Sequence, residues 1–232
     1  MQRRPLLAVL PIAAILRGRM AQARPHAILA ELFTSQSCNS CPPADALLIE
    51  LIRDRPEILA LSFHVTYWDR LGWKDRFSLP AATERQRRYA ALLREGRYAG
   101  QVYTPQLVIQ GRRDAIGSER AAVLAELRQA APAGSAEIAL GLRENGVVVE
   151  VGPGSGAGML WLIGFDPLHV TEIRSGENGG RRLAYGNVVR SIAPLGGWQG
   201  AALRQQVPRG AGERVAVLLQ GADGAILAMA SA

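Results

Sequence analysis

The stretch "FTSQSCNSCPPAD", Phe33 to Asp45, contains both cysteines of the chain, Cys38 and Cys41, two residues apart. It follows "AILAELF" (Ala27–Phe33), a short run apolar but for Glu31 that reads as a buried strand. It precedes "PADALLIELIRDR" (Pro43–Arg55), in which Leu47, Leu48, Leu51 and Ile52 recur at helical spacing. Strand, loop and helix in that order put Cys38 at or just before a helix N-terminus. Unpaired amide groups and the positive end of the helix dipole stabilise a thiolate there. Cysteines in Cys-X-X-Cys pairs have pKa values lowered from about 8.5 to roughly 3.5–7.5. Such a thiolate attacks a disulfide, and Cys41, one turn on and on the same helix face, resolves the mixed disulfide. The intervening Asn39-Ser40 pair matches no redox class.

Outward from this loop the pattern continues. "ILALSFHV" (Ile58–Val65) is a second buried strand. "PAATERQRRYAALLREG" is a helix with Pro80 at its start and Gly96 at its end. "PQLVIQG" (Pro105–Gly111) is a third strand and "RRDAIG" (Arg112–Gly117) returns beside it. "SERAAVLAELRQAA" (Ser118–Ala131) is a helix with Ser118 as N-cap. This order is that of a thioredoxin-like α/β sandwich, expected over residues 24–132. Thr104-Pro105 stands directly before the third strand, where that fold has a cis-proline facing the dithiol. Proline suits the place because its cis form costs about 0.5–1 kcal/mol, against 2.5–4 for other residues.

"PAGS" (Pro132–Ser135) reads as a linker, and the composition changes after it. Two strands meet at Asn145-Gly146, a hairpin signal. "GMLWLIGFD", "LHVTEIRSG", "GNVVRSIAPLG", "ERVAVLLQG" and "AILAMAS" are further short strands divided by Gly, Pro, Asn and Asp. Residues 133–232 are therefore expected to form a smaller all-β, sandwich-like domain.

Residues 1–23 read as a signal peptide: Arg3 and Arg4, the apolar "PLLAVLPIAAIL", and a small-x-small site ending at Ala23, with Arg17 and Arg19 between. The apolar run is too short to span a bilayer. Removal of the four arginines takes the net charge from +7 to +3. The expected product is periplasmic or secreted, in an oxidising compartment, with no stable membrane association after cleavage. Lys74 is the only lysine, and the arginines are scattered among acids. No basic run is interleaved with aromatics, which argues against a nucleic-acid partner.

Three uses of the two thiols compete. A purely structural disulfide over so short a loop removes little chain entropy. A metal site would join Cys38 and Cys41 to His64 or His26. Without a fourth ligand it disfavours tetrahedral zinc and leaves copper as the alternative, on a copper-handling or protein-interaction module without redox turnover. The favoured use is an exported thiol–disulfide oxidoreductase with Cys38, Cys41 and Pro105 at its centre. It needs no cofactor, and its partner is a protein or small-molecule thiol or disulfide. "HVTYWDRLGWKDRFS" (His64–Ser78) follows the second strand and should lie beside the dithiol. Tyr67 and Trp68, with Thr104, are candidate substrate contacts; the alternative is a packed loop filled by Trp68 and Trp73. Glu31, and Asp45 four residues beyond Cys41, are candidates for the carboxylate that takes the proton of the resolving thiol; otherwise each is a cap or a solvated acid.

The chain resembles a family of secreted bacterial thioredoxin-like proteins described only as a domain of unknown function, number 1223. The resemblance rests on "ELFTSQSCNSCPPAD", "ALSFHVTYWDRLGWKDRF", "RQRRYA", "VYTPQLVIQGR" and "GENGGRRLAYGNVV", and it extends into the β-rich half. It implies a thioredoxin-like fold, an exported protein, Cys38 and Cys41 as the dithiol, and Thr104-Pro105 as the loop facing it. It implies no activity. Thr66 departs from the acid expected before the Tyr-Trp pair, and Ser37 from an expected glycine.

Overall fold

The computed structural model describes residues 24–93 and 98–232. The signal segment and Gly96 lie outside them. The first half contains β1 (Arg24–Pro25), β2 (Ile28–Thr34), α1 (Pro42–Asp54), β3 (Ile58–His64), α2 (Pro80–Leu92), β4 (Gln106–Ile109), β5 (Arg113–Ile116) and α3 (Arg120–Gln129). Apart from the short β1, which was not expected, elements and order match the sequence reading, with boundaries displaced by a residue or two, save that α2 ends at Leu92 and not near Gly96. One cap differs: Glu119, not Ser118, precedes α3, and its side chain makes no capping bond. The second half contains β6 (Ile138–Arg143), β7 (Gly146–Val151), β8 (Gly158–Glu172), β9 (Arg182–Trp198), β10 (Leu203–Val207), β11 (Arg214–Gln220) and β12 (Ile226–Ser231). The segments "GMLWLIGFD" and "LHVTEIRSG", expected as two strands, run together as the long β8.

The expected separate β domain is not what forms. One nine-stranded sheet runs β1-β12-β11-β8-β9-β3-β2-β4-β5, and strands of the second half continue the sheet of the first. The join is β9 against β3, parallel, with Val188 opposite Ser62. Asn187, at positive φ, donates its side-chain amide to Ala60 O at 2.8 Å. The result is a mixed α/β molecule with a large central sheet and three helices among the described residues.

Strand alternation explains why the halves fuse. In β11 the odd residues Val215, Val217 and Leu219 face a core shared with a second, three-stranded sheet, β10-β7-β6. The even residues Ala216 and Leu218 face a different core, together with Phe33, Leu61 and Phe63 of the first half and Tyr89 of α2. Both faces of β11 are buried, so β11 is an interior strand of a larger sheet. The same alternation places Ala30, Leu32, Ile58 and Ala60 under α1 and α3 in a third core. At Gly111, which has positive φ, a Cβ would lie 1.8 Å from the carbonyl oxygen of Gly224. The β4–β5 turn therefore approaches the β11–β12 turn more closely than any side chain permits. No helix of the described residues is long and apolar enough to cross a membrane.

Candidate functional site

Cys38 and Cys41 form a disulfide, with Cα atoms 5.4 Å apart. Cys41 is itself the N-cap of α1. Pro42 follows at the first helical position, where a missing N–H costs nothing. Cys38 therefore stands three residues ahead of the cap, in a turn where its N–H reaches Ser35 O and Cys41 N–H reaches Cys38 O, each at 3.2 Å. The Asp45 N–H closes on Cys41 O at 3.1 Å, so Asp45 lies one turn beyond Cys41.

The Thr104–Pro105 bond is cis. The Thr104 hydroxyl donates to Cys38 Sγ at 3.4 Å and accepts from Trp68 Nε1 at 2.8 Å. Ser40 Oγ lies 3.3 Å from the same sulfur. Trp68 thus reaches the disulfide through Thr104, whereas the Tyr67 hydroxyl donates to Gln86 on α2. Both rings pack on the core, and Trp73 Nε1 donates to Gln36 Oε1. The aromatic loop is a packed wall of the site.

Both cysteines are fully buried, and the exposed rim of the loop is Asn39 and Ser40. A cage from distant segments closes around them. Ser37 Oγ donates to Trp73 O at 2.6 Å. Asn178 Nδ2 donates to both Gln36 O and Cys38 O at 2.9 Å. The Asn39 N–H donates to Glu177 Oε2 at 3.1 Å. Sequence reasoning gave Glu177 and Asn178 no role; a Gly-rich polar loop carries no local signal of the backbone it grips.

Below the disulfide, β2 and β3 turn polar at their C-terminal ends. On the face under α1, apolar Ile28, Ala30 and Leu32 give way to Thr34, and Ile58 and Ala60 give way to Ser62 and His64. Thr34 and His64 are register partners. Asp45 descends onto this patch and is 4% exposed. Neither of its carboxylate oxygens has a hydrogen-bond partner; the Thr34 hydroxyl is near but outside hydrogen-bond geometry. Burial pushes the Asp45 carboxyl up to about 7, and the imidazole of His64 restrains the rise. His64 Nδ1 donates to Asp75 Oδ2 at 2.6 Å, while its Nε2 has no partner. Burial opposes protonation of His64, but the carboxylates of Asp75 and Asp45 outweigh it, and its pKa lies above the ordinary value. Burial acts to raise Asp75 too, yet His64 and the N–H groups of Gln36 and Phe77 hold it below the usual carboxylate range. The Tyr185 hydroxyl is also unpartnered, and its ring lies 5.0 Å from that of His64. Such buried orphans cost about 1–3 kcal/mol each and are few in native proteins.

Glu31 is not at this site. It points to the opposite sheet face, fully buried, where Arg85 Nε donates to it at 2.6 Å and the Tyr89 hydroxyl also reaches it. The copper set does not assemble either. Among the described residues no three His, Cys, Asp or Glu side chains are grouped to hold a metal. Cys38 and Cys41 are bonded to each other, and His26 lies at the far end of β2 against Pro56 O and Ser231 Oγ.

Fold and site together define an α/β protein with a caged Cys-X-X-Cys disulfide leading into its first long helix. The chain belongs to the family described as protein of unknown function (DUF1223), whose profile matches residues 29–220. It is similar to a crystal structure of a protein from Agrobacterium tumefaciens, with 27% identity and a TM-score of 0.70 over 90% of this chain and 94% of the other. It also shares its fold with HBP35 of Porphyromonas gingivalis, with 14% identity and a TM-score of 0.54 over 90% of this chain and 75% of that one. No curated protein matches it.

Proposed function

We propose that the protein is an exported thiol–disulfide oxidoreductase whose first half is a thioredoxin-like unit, and that Cys38 and Cys41 cycle between disulfide and dithiol. The observation that carries this reading is the stacking of three features on one sulfur pair. Cys41 caps α1, the Thr104 hydroxyl before the cis Pro105 touches Cys38 Sγ, and the unpartnered carboxyl of Asp45 lies one turn beyond Cys41. In the dithiol, the Thr104 hydroxyl favours the Cys38 thiolate, because a hydrogen bond to the charged form lowers its pKa. Asp45, poised near neutrality, accepts the Cys41 proton when Cys41 attacks the mixed disulfide. A structural disulfide would need neither the hydroxyl nor an ionisable group held unpaired at the cost of burial.

The substrate is a protein or small-molecule thiol or disulfide that meets the Asn39–Ser40 rim. Export is supported by the N-terminal basic and apolar segments and the "AQA" site. The setting is then periplasmic or secreted, where such a pair finds oxidised partners. Equilibration of the mature protein with glutathione buffers of graded redox ratio tests the reading. The expected result is a single two-electron transition assigned to Cys38–Cys41 within the glutathione range. A pair that stays oxidised in every buffer would mark the disulfide as structural.

A further inference from the structure

The carboxyl of Asp45, the Thr34 hydroxyl, His64 Nε2 and the Tyr185 hydroxyl all end buried without partners, and they are neighbours: Thr34 is the register partner of His64, the Tyr185 ring lies 5.0 Å from the imidazole, and Asp45 interacts with Thr34, His64 and Tyr185. They come from α1, β2, β3 and β9, so the cluster exists only in the folded chain. Asp75, from the loop after β3, touches it from the side. One of its oxygens accepts both from His64 Nδ1 and from the Gln36 N–H at the start of the dithiol loop. The imidazole is therefore fixed at one nitrogen and unpartnered at the other, with Asp45 as a near carboxyl.

We propose that His64, clamped by Asp75, is the positioning residue that sets how readily Asp45 exchanges a proton with Cys41, so that the three form one proton-holding unit behind the disulfide. This deepens the thiol–disulfide reading above and rests on it. The step balances as follows. The Cys38 thiolate attacks a substrate disulfide, forms the Cys38–substrate bond and expels one substrate thiolate. The Cys41 thiol gives its proton to the Asp45 carboxylate. The Cys41 sulfur then bonds to Cys38 Sγ and expels the second substrate thiolate. The substrate gains two electrons and the dithiol loses two. In reverse, protonated Asp45 returns the proton to Cys41 as it leaves.

The charges facing the unit fix the direction of the effect. Asp75 and Asp45 favour protonated His64, and Arg190 on β9 opposes it, though Arg190 is itself paired with Asp166. Asp45 is favoured in its charged form by His64 and disfavoured by Asp75. Tyr185 faces both carboxylates, with Arg181 beyond it. Loss of the imidazolium therefore leaves Asp45 harder to ionise.

The test uses hydroxyethyl disulfide as probe and follows, in stopped flow, resolution of its mixed disulfide by Cys41. In the natural sequence the rate should rise with pH through a midpoint near 7, the range in which Asp45 ionises. His64→Gln should move that midpoint up by roughly one unit, the scale on which a nearby opposite charge acts. Asp45→Asn should remove the inflection. A His64→Gln profile with an unmoved midpoint overturns the assignment while leaving the redox reading intact. Failure of the natural protein to react with the probe removes the redox reading instead. A second readout needs no turnover and no His64 variant. In an NMR titration the His64 imidazole should titrate above its ordinary 6.5, and lower in Asp45→Asn than in the natural protein. Equal values in the two proteins overturn the coupling.

Discussion

Val188 of β9 lies parallel to Ser62 of β3, and through that contact the two halves of the chain become one sheet. The core beside it draws on both halves: Phe33, Leu61 and Phe63 from the first, Ile163, Phe165, Val189, Ala216 and Leu218 from the second. Each large apolar side chain that loses its cover forfeits about 1.5–3 kcal/mol, against a whole stability of about 5–15 kcal/mol. A fragment ending at residue 132 should therefore lack a cooperative urea transition, whereas residues 24–232 should unfold in one. A fragment with a sigmoidal transition and native-like circular dichroism would show that the first half folds alone.

Asp45 makes stability fall as pH rises. Its folded pKa, about 7, lies above the ordinary 3.8. The folded state holds the proton more tightly, and its advantage is present below pH 3.8 and lost as pH climbs through 7. Asp45→Asn keeps the size without the charge. It should stabilise the protein at pH 8 by roughly 2–4 kcal/mol and change little at pH 4. Urea melts at the two pH values measure this; an Asn variant less stable at pH 8 would mean that the carboxylate is well satisfied in the fold.

Glu31 and Arg85 are structural partners between β2 and α2, and Arg85 also reaches Gln220 on β11 and Tyr89. Arg85→Met strands a buried carboxylate and should cost about 3–5 kcal/mol, with thiol reactivity per folded molecule unchanged. A loss under about 1 kcal/mol, a size typical of exposed pairs, would show that the pair is not sealed from water.

What the sequence disclosed was local. Helix α1 announced itself by the spacing of Leu47, Leu48, Leu51 and Ile52, α2 by Pro80, and β2 and β3 by short, largely apolar runs. The Cys-X-X-Cys loop and Thr104-Pro105 could be placed because each lies at the end of such an element. The β3–β9 join was not legible, because Ser62 and Val188 are far apart in sequence and periodicity says nothing about which strand becomes a neighbour. Val215 to Leu219 did carry a hint: five consecutive apolar residues are too many for a strand with a wet face. Asp75 and Asn178 sit in loops, and their roles depend on Gln36 and Cys38, which only the fold brings near. Of the two carboxylates singled out, alternation along β2 sends Glu31 to the far face, while Asp45 lies one helical turn beyond Cys41 on α1.

The central claim is that Cys38 attacks and Cys41 resolves, and one measurement reaches it most directly. Reduced Cys41→Ser protein, exposed at neutral pH to hydroxyethyl disulfide and to a periplasmic extract, should accumulate stable mixed disulfides through Cys38, seen by mass spectrometry, because no second thiol remains to release them. Cys38→Ser should accumulate none. Equal trapping by both variants, or trapping through Cys41 alone, would contradict the assignment of the two sulfurs.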